Sequence, residues 1–162
     1  MTTHDAVRVR AAVPDDADPV AALWYSGWRD GHLGHVPDEL VAARTEESFW
    51  TRAAERVVDT TVAVVDGAVA GFVMVVDDEV EQVYVARERR GTGVAGALLV
   101  EAERQVAAAG HQSAWLAVAT GNGRARRFYE REGWTDDGPF DYRPAGGITV
   151  PCHRYVKRVL AP

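Results

Sequence analysis

Three valine-rich segments follow one another in the middle of the chain, and the turns between them restrict the sheet they can build. Thr61 to Val65 and Ala68 to Val76 are separated by Asp66-Gly67, a two-residue turn that favours a tight antiparallel hairpin. Asp77-Asp78 makes the next turn, into a strand from Glu79 to Val85. Such an antiparallel beginning excludes a doubly wound parallel sheet. Upstream, "VRVRAA" (Val7 to Ala12) alternates like a half-buried strand, and Pro14, Asp15 and Asp16 signal a helix start. A loop is expected from Arg29 to Pro37, then a helical stretch with a break near Thr45. Downstream, Val94, Leu98, Leu99, Ala102 and Val106 sit at helical spacing before Gly110, and "SAWLAV" reads as a buried strand. Asn122 can cap a helix over 123–132 that Gly133 stops, and "ITVPCHRYVKRV" reads as a final strand interrupted by Pro151. The order β-α-α-β-β-β-α-β-α-β-β predicts a mixed α/β, α+β-like chain, one domain over residues 1–162.

Composition narrows the function classes. No apolar stretch approaches the roughly 20 residues that span a bilayer, and "MTTHDAVRVR" lacks a secretory apolar core. The single cysteine, Cys152, cannot form an internal disulfide, so a cytoplasmic location without membrane attachment is expected. A net charge of -6 weighs against nucleic-acid binding and is compatible with a cationic partner. Against that background, Arg87, Arg89 and Arg90 form one basic cluster, and Arg124, Arg126, Arg127 and Arg131 another. Each flanks a motif, which points to a shared anionic ligand.

The first of these motifs is "RRGTGVAG" (Arg89 to Gly96), a G-x-G-x-x-G between a strand and a helix. A dinucleotide fingerprint begins where its strand ends and needs an acidic residue about 20 positions later. Here "ARERR" intervenes, and the next strand has no acid at its carboxyl end. What remains is the physics of small residues and a helix N-terminus, which let backbone N–H groups converge on a pyrophosphate.

With its flanks, "EVEQVYVARERRGTGVAGALL" resembles the acetyl-CoA-binding motif of the GNAT superfamily of N-acetyltransferases, with Arg90, Gly93 and Ala95 on the Q/R-x-x-G-x-G/A signature. "NGRARRFYEREGW" resembles a second motif of that family through Asn122, Ala125, Phe128, Tyr129, Gly133 and Trp134. The resemblance implies a GNAT-type mixed sheet of about six to seven strands with about four helices, splayed at the cofactor-binding strand. It also implies acetyl-CoA as cosubstrate, bound by Val83, Val85, Arg90, Gly91, Thr92, Gly93, Val94, Ala95, Gly96, Asn122, Arg126 and Tyr129.

Acetyl transfer to an amine needs a base for the ammonium and an acid for the departing thiolate. By period two, Glu79, Glu81, Val83 and Val85 would share one strand face, so both glutamates could look towards the acceptor. Glu79 also matches the position of the catalytic glutamate of some GNAT enzymes, acting through water, and the resemblance makes it the first candidate base and Glu81 the second, although an exposed strand end is the competing reading. Tyr129 matches the family's thiolate-protonating tyrosine; a core role competes. Asn122 is either a helix cap or a pantetheine contact, and Val85 either a core valine or the backbone donor to the thioester carbonyl. Trp28, His32 and His35 lie in the region resembling the family's acceptor lid, with no metal site expected. The expected partners are acetyl-CoA and an unidentified primary amine on a small molecule or peptide, with monomer and homodimer both open. The alternative from another class is a non-catalytic acyl-CoA-binding module or sensor.

Overall fold

The computed structural model of the chain describes residues 6–145 and 147–160. These form the strands β1 (Arg8–Ala11), β2 (Thr60–Val65), β3 (Ala68–Val76), β4 (Glu79–Val85), β5 (Ser113–Ala119), β6 (Thr135–Ala145) and β7 (Ile148–Arg158). The helices are α1 (Ala17–His32), α2 (Asp38–Ala43), α3 (Glu46–Glu55), α4 (Val94–Ala108) and α5 (Gly123–Arg131). One sheet runs in the order β1-β2-β3-β4-β5-β7-β6, antiparallel except where β4 meets β5. The hairpin turn forms as its residues require, with Asp66 and Gly67 at φ 53° and 76°.

Each sheet face carries its own core. Ala63, Val73, Val80 and Leu116 pack with Val94, Leu98, Leu99, Ala102 and Val106 of α4 on one side. Val62, Phe72 and Met74 pack with Val20, Trp24, Trp28, Leu40 and Phe49 of α1–α3 on the other. The Arg10 guanidinium, at 2.7 and 3.0 Å, and the Val13 N–H hold the buried Asp16 carboxylate at the start of α1, keeping its pKa below the usual carboxylate value.

Three expectations change. The helix α1 does not yield to a loop at Arg29 but continues to His32, through Gly27 and Gly31. Those glycines pack: a Cβ on Gly27 would collide with the Tyr84 ring, and one on Gly31 would lie 3.1 Å from Asn122 Nδ2. Their propensity cost of about 1 kcal/mol each is set against the approach of β4 and α5. Strand β7 runs unbroken through Pro151. Its carbonyl accepts the Thr120 N–H (3.1 Å), so the missing N–H points the same way, beyond the last ladder residue of β5, Ala119.

The third change is a β-bulge. Val75 pairs with Val80 and Met74 with Gln82, leaving Glu81 as the extra residue. Glu79, Glu81, Val83 and Val85 therefore do not share a face. Val83 and Val85 pack towards the α4 core and Tyr84 towards α1, while the glutamates meet partners from α3 and β6.

Gly27→Ala is expected to lower the melting temperature by the equivalent of about 1–3 kcal/mol, the usual cost of overpacking. In a Tyr84→Ala background the same change should raise it, because only the helix-propensity gain is left. Thermal unfolding of the four proteins checks the sign reversal.

Candidate active site

Strands β4 and β5 touch at one residue pair, Glu79 with Trp115. Asp78 fastens this junction, its carbonyl accepting the Trp115 N–H (3.0 Å) and its Oδ1 the indole Nε1–H (3.1 Å). Beyond it the strands part, and a cavity of about 570 Å³ opens between them. Ala86 donates its N–H to Ala70 of β3 (2.8 Å), so by strand alternation the N–H groups of Val85 and Val83 point the other way, into the wedge. The bulge at Glu81 thus separates a backbone that faces the wedge from carboxylates that line its far end.

At the carboxyl end of β4 lies the glycine loop. Gly91 and Gly93 stand at φ 76° and 90°, where other residues are strained, and a Cβ on either would meet nothing within 4 Å. Open space therefore lies over the loop. The first backbone bond of α4 runs from Ala97 N–H to Gly93 O (3.1 Å), leaving the N–H groups of Val94, Ala95 and Gly96 without intrahelical acceptors. Val94 offers only that backbone group, because its side chain is in the core. The Thr92 hydroxyl turns inward to the Arg89 carbonyl. Arg89 and Arg90 line the cavity from this side and Arg124 and Arg131 from α5, so the two basic clusters converge on one space. Asp30 of α1 holds Arg87 (2.8 Å) and Arg90 (3.0 Å), tying the loop to the helix.

Arg126 departs from expectation. It turns away from the cavity to the Tyr155 hydroxyl (3.2 Å), the Thr120 carbonyl (3.1 Å) and Asp136 (3.3 Å), a structural knot between α5, β6 and β7. Asn122 caps α5, accepting the Ala125 N–H at 3.2 Å, and also lines the cavity. His35 lies against Gly121, outside the cavity lining.

At the other end, Glu79 accepts a hydrogen bond from the Tyr142 hydroxyl (3.0 Å). Burial raises its pKa above the usual carboxylate value, opposed by that hydrogen bond and reinforced by Glu81 and Asp78. Glu81 is held by the Arg56 guanidinium in a two-pronged pair at 2.6 and 3.0 Å. Both Glu81 oxygens are thereby engaged by one guanidinium, whereas Glu79 has a single hydroxyl partner. Tyr129 packs among Phe128, Trp134 and Tyr155 and is one of the residues lining the cavity, and burial pushes its phenol pKa upward. Burial likewise raises Tyr84, and its phenol is near enough to Tyr129 to be raised further by it.

Trp28 stacks on His32, with centroids 4.8 Å apart, and both line the cavity. His32 Nδ1 lies 2.8 Å from the Trp28 carbonyl, and burial lowers its pKa, favouring a neutral ring. Cys152 also borders the cavity, but burial pushes its thiol up to about 11, so it is not a thiolate nucleophile at neutral pH. The adjacent His153 faces away, to Asp136 (2.9 Å).

Four cavity residues escape a reading by sequence period: Tyr84, Tyr142, Arg44 and Arg52. Tyr84 and Tyr142 look like ordinary strand aromatics, and only the register across the bulge shows where they point. Arg44 is the C-cap of α2 and Arg52 lies in the last turn of α3, and both read as solvated helix charges.

The sequence profile described as the Acetyltransferase (GNAT) family matches residues 18–134. A relative named a probable N-acetyltransferase, from Mycobacterium tuberculosis, is 29% identical over 161 residues, covering 90% of each chain. A second protein of that organism, named an uncharacterized N-acetyltransferase, is 32% identical over 138 residues, 79% of this chain and 88% of its own. Among solved structures, the PaiA N-acetyltransferase from Thermoplasma acidophilum in complex with coenzyme A superimposes with a TM-score of 0.74 at 17% identity, over 94% of this chain and 99% of that one. The putative acetyltransferase YncA from Salmonella typhimurium, with acetyl-CoA, gives 0.70 at 16% identity over 97% and 98%. The profile match takes in both the glycine loop and the α5 motif, and with it the chain belongs to the GNAT family of acetyltransferases.

Proposed function

We propose that this chain, as one cytoplasmic domain over residues 1–162, transfers the acetyl group of acetyl-CoA directly to a primary amine. The observation that carries the reading is the single cavity whose lining includes the basic glycine loop, Tyr129 and Glu79. Its shape fits the cosubstrate: an open, N–H-rich and arginine-lined cradle suits a pyrophosphate, and the wedge edge of β4 suits the amide-bearing pantetheine arm. Binding of coenzyme A by the Thermoplasma relative and of acetyl-CoA by the Salmonella one supports the same assignment.

Acetyl-CoA supplies an acyl group on a thiol leaving group. Its transfer takes one proton from nitrogen and gives one to sulfur. Glu79, desolvated and held by Tyr142, accepts the proton of the amine. Tyr129, kept protonated by burial, donates to the leaving sulfur. The Val85 and Val83 N–H groups orient the acyl carbonyl and its arm at the open edge of β4. Thr92 and Val94 contribute through backbone N–H groups, whereas Arg126 serves the fold. Cys152 carries no acyl group in this scheme. The presence of both a base and an acid in the cavity favours an enzyme over a binding module.

Acetyl-CoA, and not NAD, should raise the melting temperature of the purified protein. Tyr129→Phe keeps the ring and should retain that stabilisation while kcat falls by about 10²-fold or more, read from thiol release. Full activity in this variant would return Tyr129 to the core.

The pH dependence provides a second test. Glu79 must be ionised to accept a proton, so kcat/KM should rise with pH through a value above the ordinary carboxylate range of about 4.3. The Tyr142 hydroxyl stabilises the ionised form. Tyr142→Phe should therefore shift this acid limb to higher pH, whereas an unmoved limb would place the base elsewhere.

A further inference from the structure

Two arginines at the acceptor end of the cavity stand without a carboxylate partner of their own among the described residues. Arg56 is matched by Glu81 and also lies 3.6 Å from Asp59. Arg44 and Arg52 both line the cavity, and neither has a carboxylate within ion-pair distance among the described residues. Arg44 spends one donor on the Pro144 carbonyl (3.1 Å), which ties the α2–α3 corner to the end of β6. Arg52 is held with its guanidinium over the Trp24 ring at 4.2 Å and beside Phe49 at 5.6 Å, and its buried Nη1 has no hydrogen-bond partner.

A guanidinium fixed by stacking, with a buried donor left unmatched, is costly unless something accepts from it. The nearby carboxylates do not: Glu81 is taken by Arg56, and Glu79 by Tyr142. The phosphates of coenzyme A do not reach this end on the reading above. They belong at the glycine loop, past the carboxyl end of β4, whereas Glu79 begins that strand; its seven residues put the two ends about 20 Å apart. Burial lowers the pKa of Arg52 to about 10, which still leaves it cationic at neutral pH.

We infer that Arg44 and Arg52 form an oxyanion subsite for the acceptor, and that the acceptor is a small amine that also carries a carboxylate, of the amino-acid type. A planar carboxylate offers paired acceptors to a guanidinium fork, which is what the unmatched Nη1 of Arg52 lacks. Glu79 then faces the amine of the same molecule. The overall net charge of -6 is compatible with a cationic partner, whereas the guanidinium groups of Arg44 and Arg52 are donors suited to an anionic group on the same molecule. Arg44 and Arg52 are specificity residues for binding, and no proton moves through them.

The inference rests on the acetyl-transfer reading, and one experiment separates the two. Thiol release from acetyl-CoA is measured with the standard α-amino acids, their carboxamides and the corresponding decarboxylated amines, alongside stabilisation of the same preparation by acetyl-CoA alone. The expected result is a kcat/KM for at least one acid that exceeds its carboxamide by about tenfold or more, with KM carrying the difference. In Arg52→Gln and, separately, Arg44→Gln, that ratio should fall by about tenfold while acetyl-CoA still stabilises each variant. Arg52→Lys, which keeps the charge and loses the fork, should fall between. Carboxylate-free amines used as well as the acids, a ratio unmoved by either substitution, or no turnover of any acid in a preparation that acetyl-CoA stabilises would overturn this inference alone. No stabilisation by acetyl-CoA and no thiol release from any acceptor would overturn the acetyl-transfer reading as well.

Discussion

The separation of β4 from β5 is the constraint on which the remaining structure depends. A strand in mid-sheet ordinarily satisfies both of its edges, and unpaired backbone donors are costly away from water. Here β4 is laddered to β3 on one side and to β5 at a single residue pair. Asp78 fixes that pair through both backbone and side chain, so the strands stay joined at one end while they diverge at the other. The α4 crossover packs over one face and α1–α3 over the other, which leaves the gap as a wedge through the sheet. Into it point the Val83 and Val85 N–H groups, and at its wide end stand the uncapped N–H groups of α4.

The wedge also orders the chemistry. Its lining begins with arginines and glycine backbone, continues past the Tyr129 phenol and reaches carboxylates at its narrow end. The β-bulge at Glu81 is what makes this sequence of groups possible. With strict alternation the glutamates would sit on the same face as the α4-packed valines; the extra residue turns them instead towards the side where α1–α3 close the acceptor end. Gly27 and Gly31 serve the same end from α1, permitting the approach of Tyr84 and Asn122.

Much of the scaffold was legible in the sequence because local chemistry decides it. Asp66-Gly67 fixes a hairpin, Thr45 caps α3 at the expected break, and Gly110 at φ 94° follows the end of α4. The glycine loop, Asn122 and Tyr129 were readable from two motifs of fixed spacing. What was not legible depends on register or on distant partners. A bulge cannot be seen in the strand that carries it, so the shared face of Glu79, Glu81, Val83 and Val85 was misread. Gly31 reads as part of a loop because its role is the space it leaves for Asn122. Pro151 reads as an interruption, yet its missing donor falls beyond the last ladder residue of β5. The resemblance points to Arg126 as a coenzyme ligand, yet Arg124 lines the cavity while Arg126 is held by Tyr155 and Asp136, partners that sequence spacing does not reveal.

In the proposed complex, acyl-CoA lies along the open edge of β4 with its phosphates on the α4 N-terminus. Residue-resolved amide hydrogen exchange, with and without saturating acetyl-CoA, tests this most directly. Slowed exchange is expected at Val83 and Val85 and at the amides of 91–96, with Gln82 and Tyr84, whose N–H groups face β3, little changed. Protection confined to other parts of the chain, or an unchanged β4 edge in a protein that binds acetyl-CoA, would contradict it.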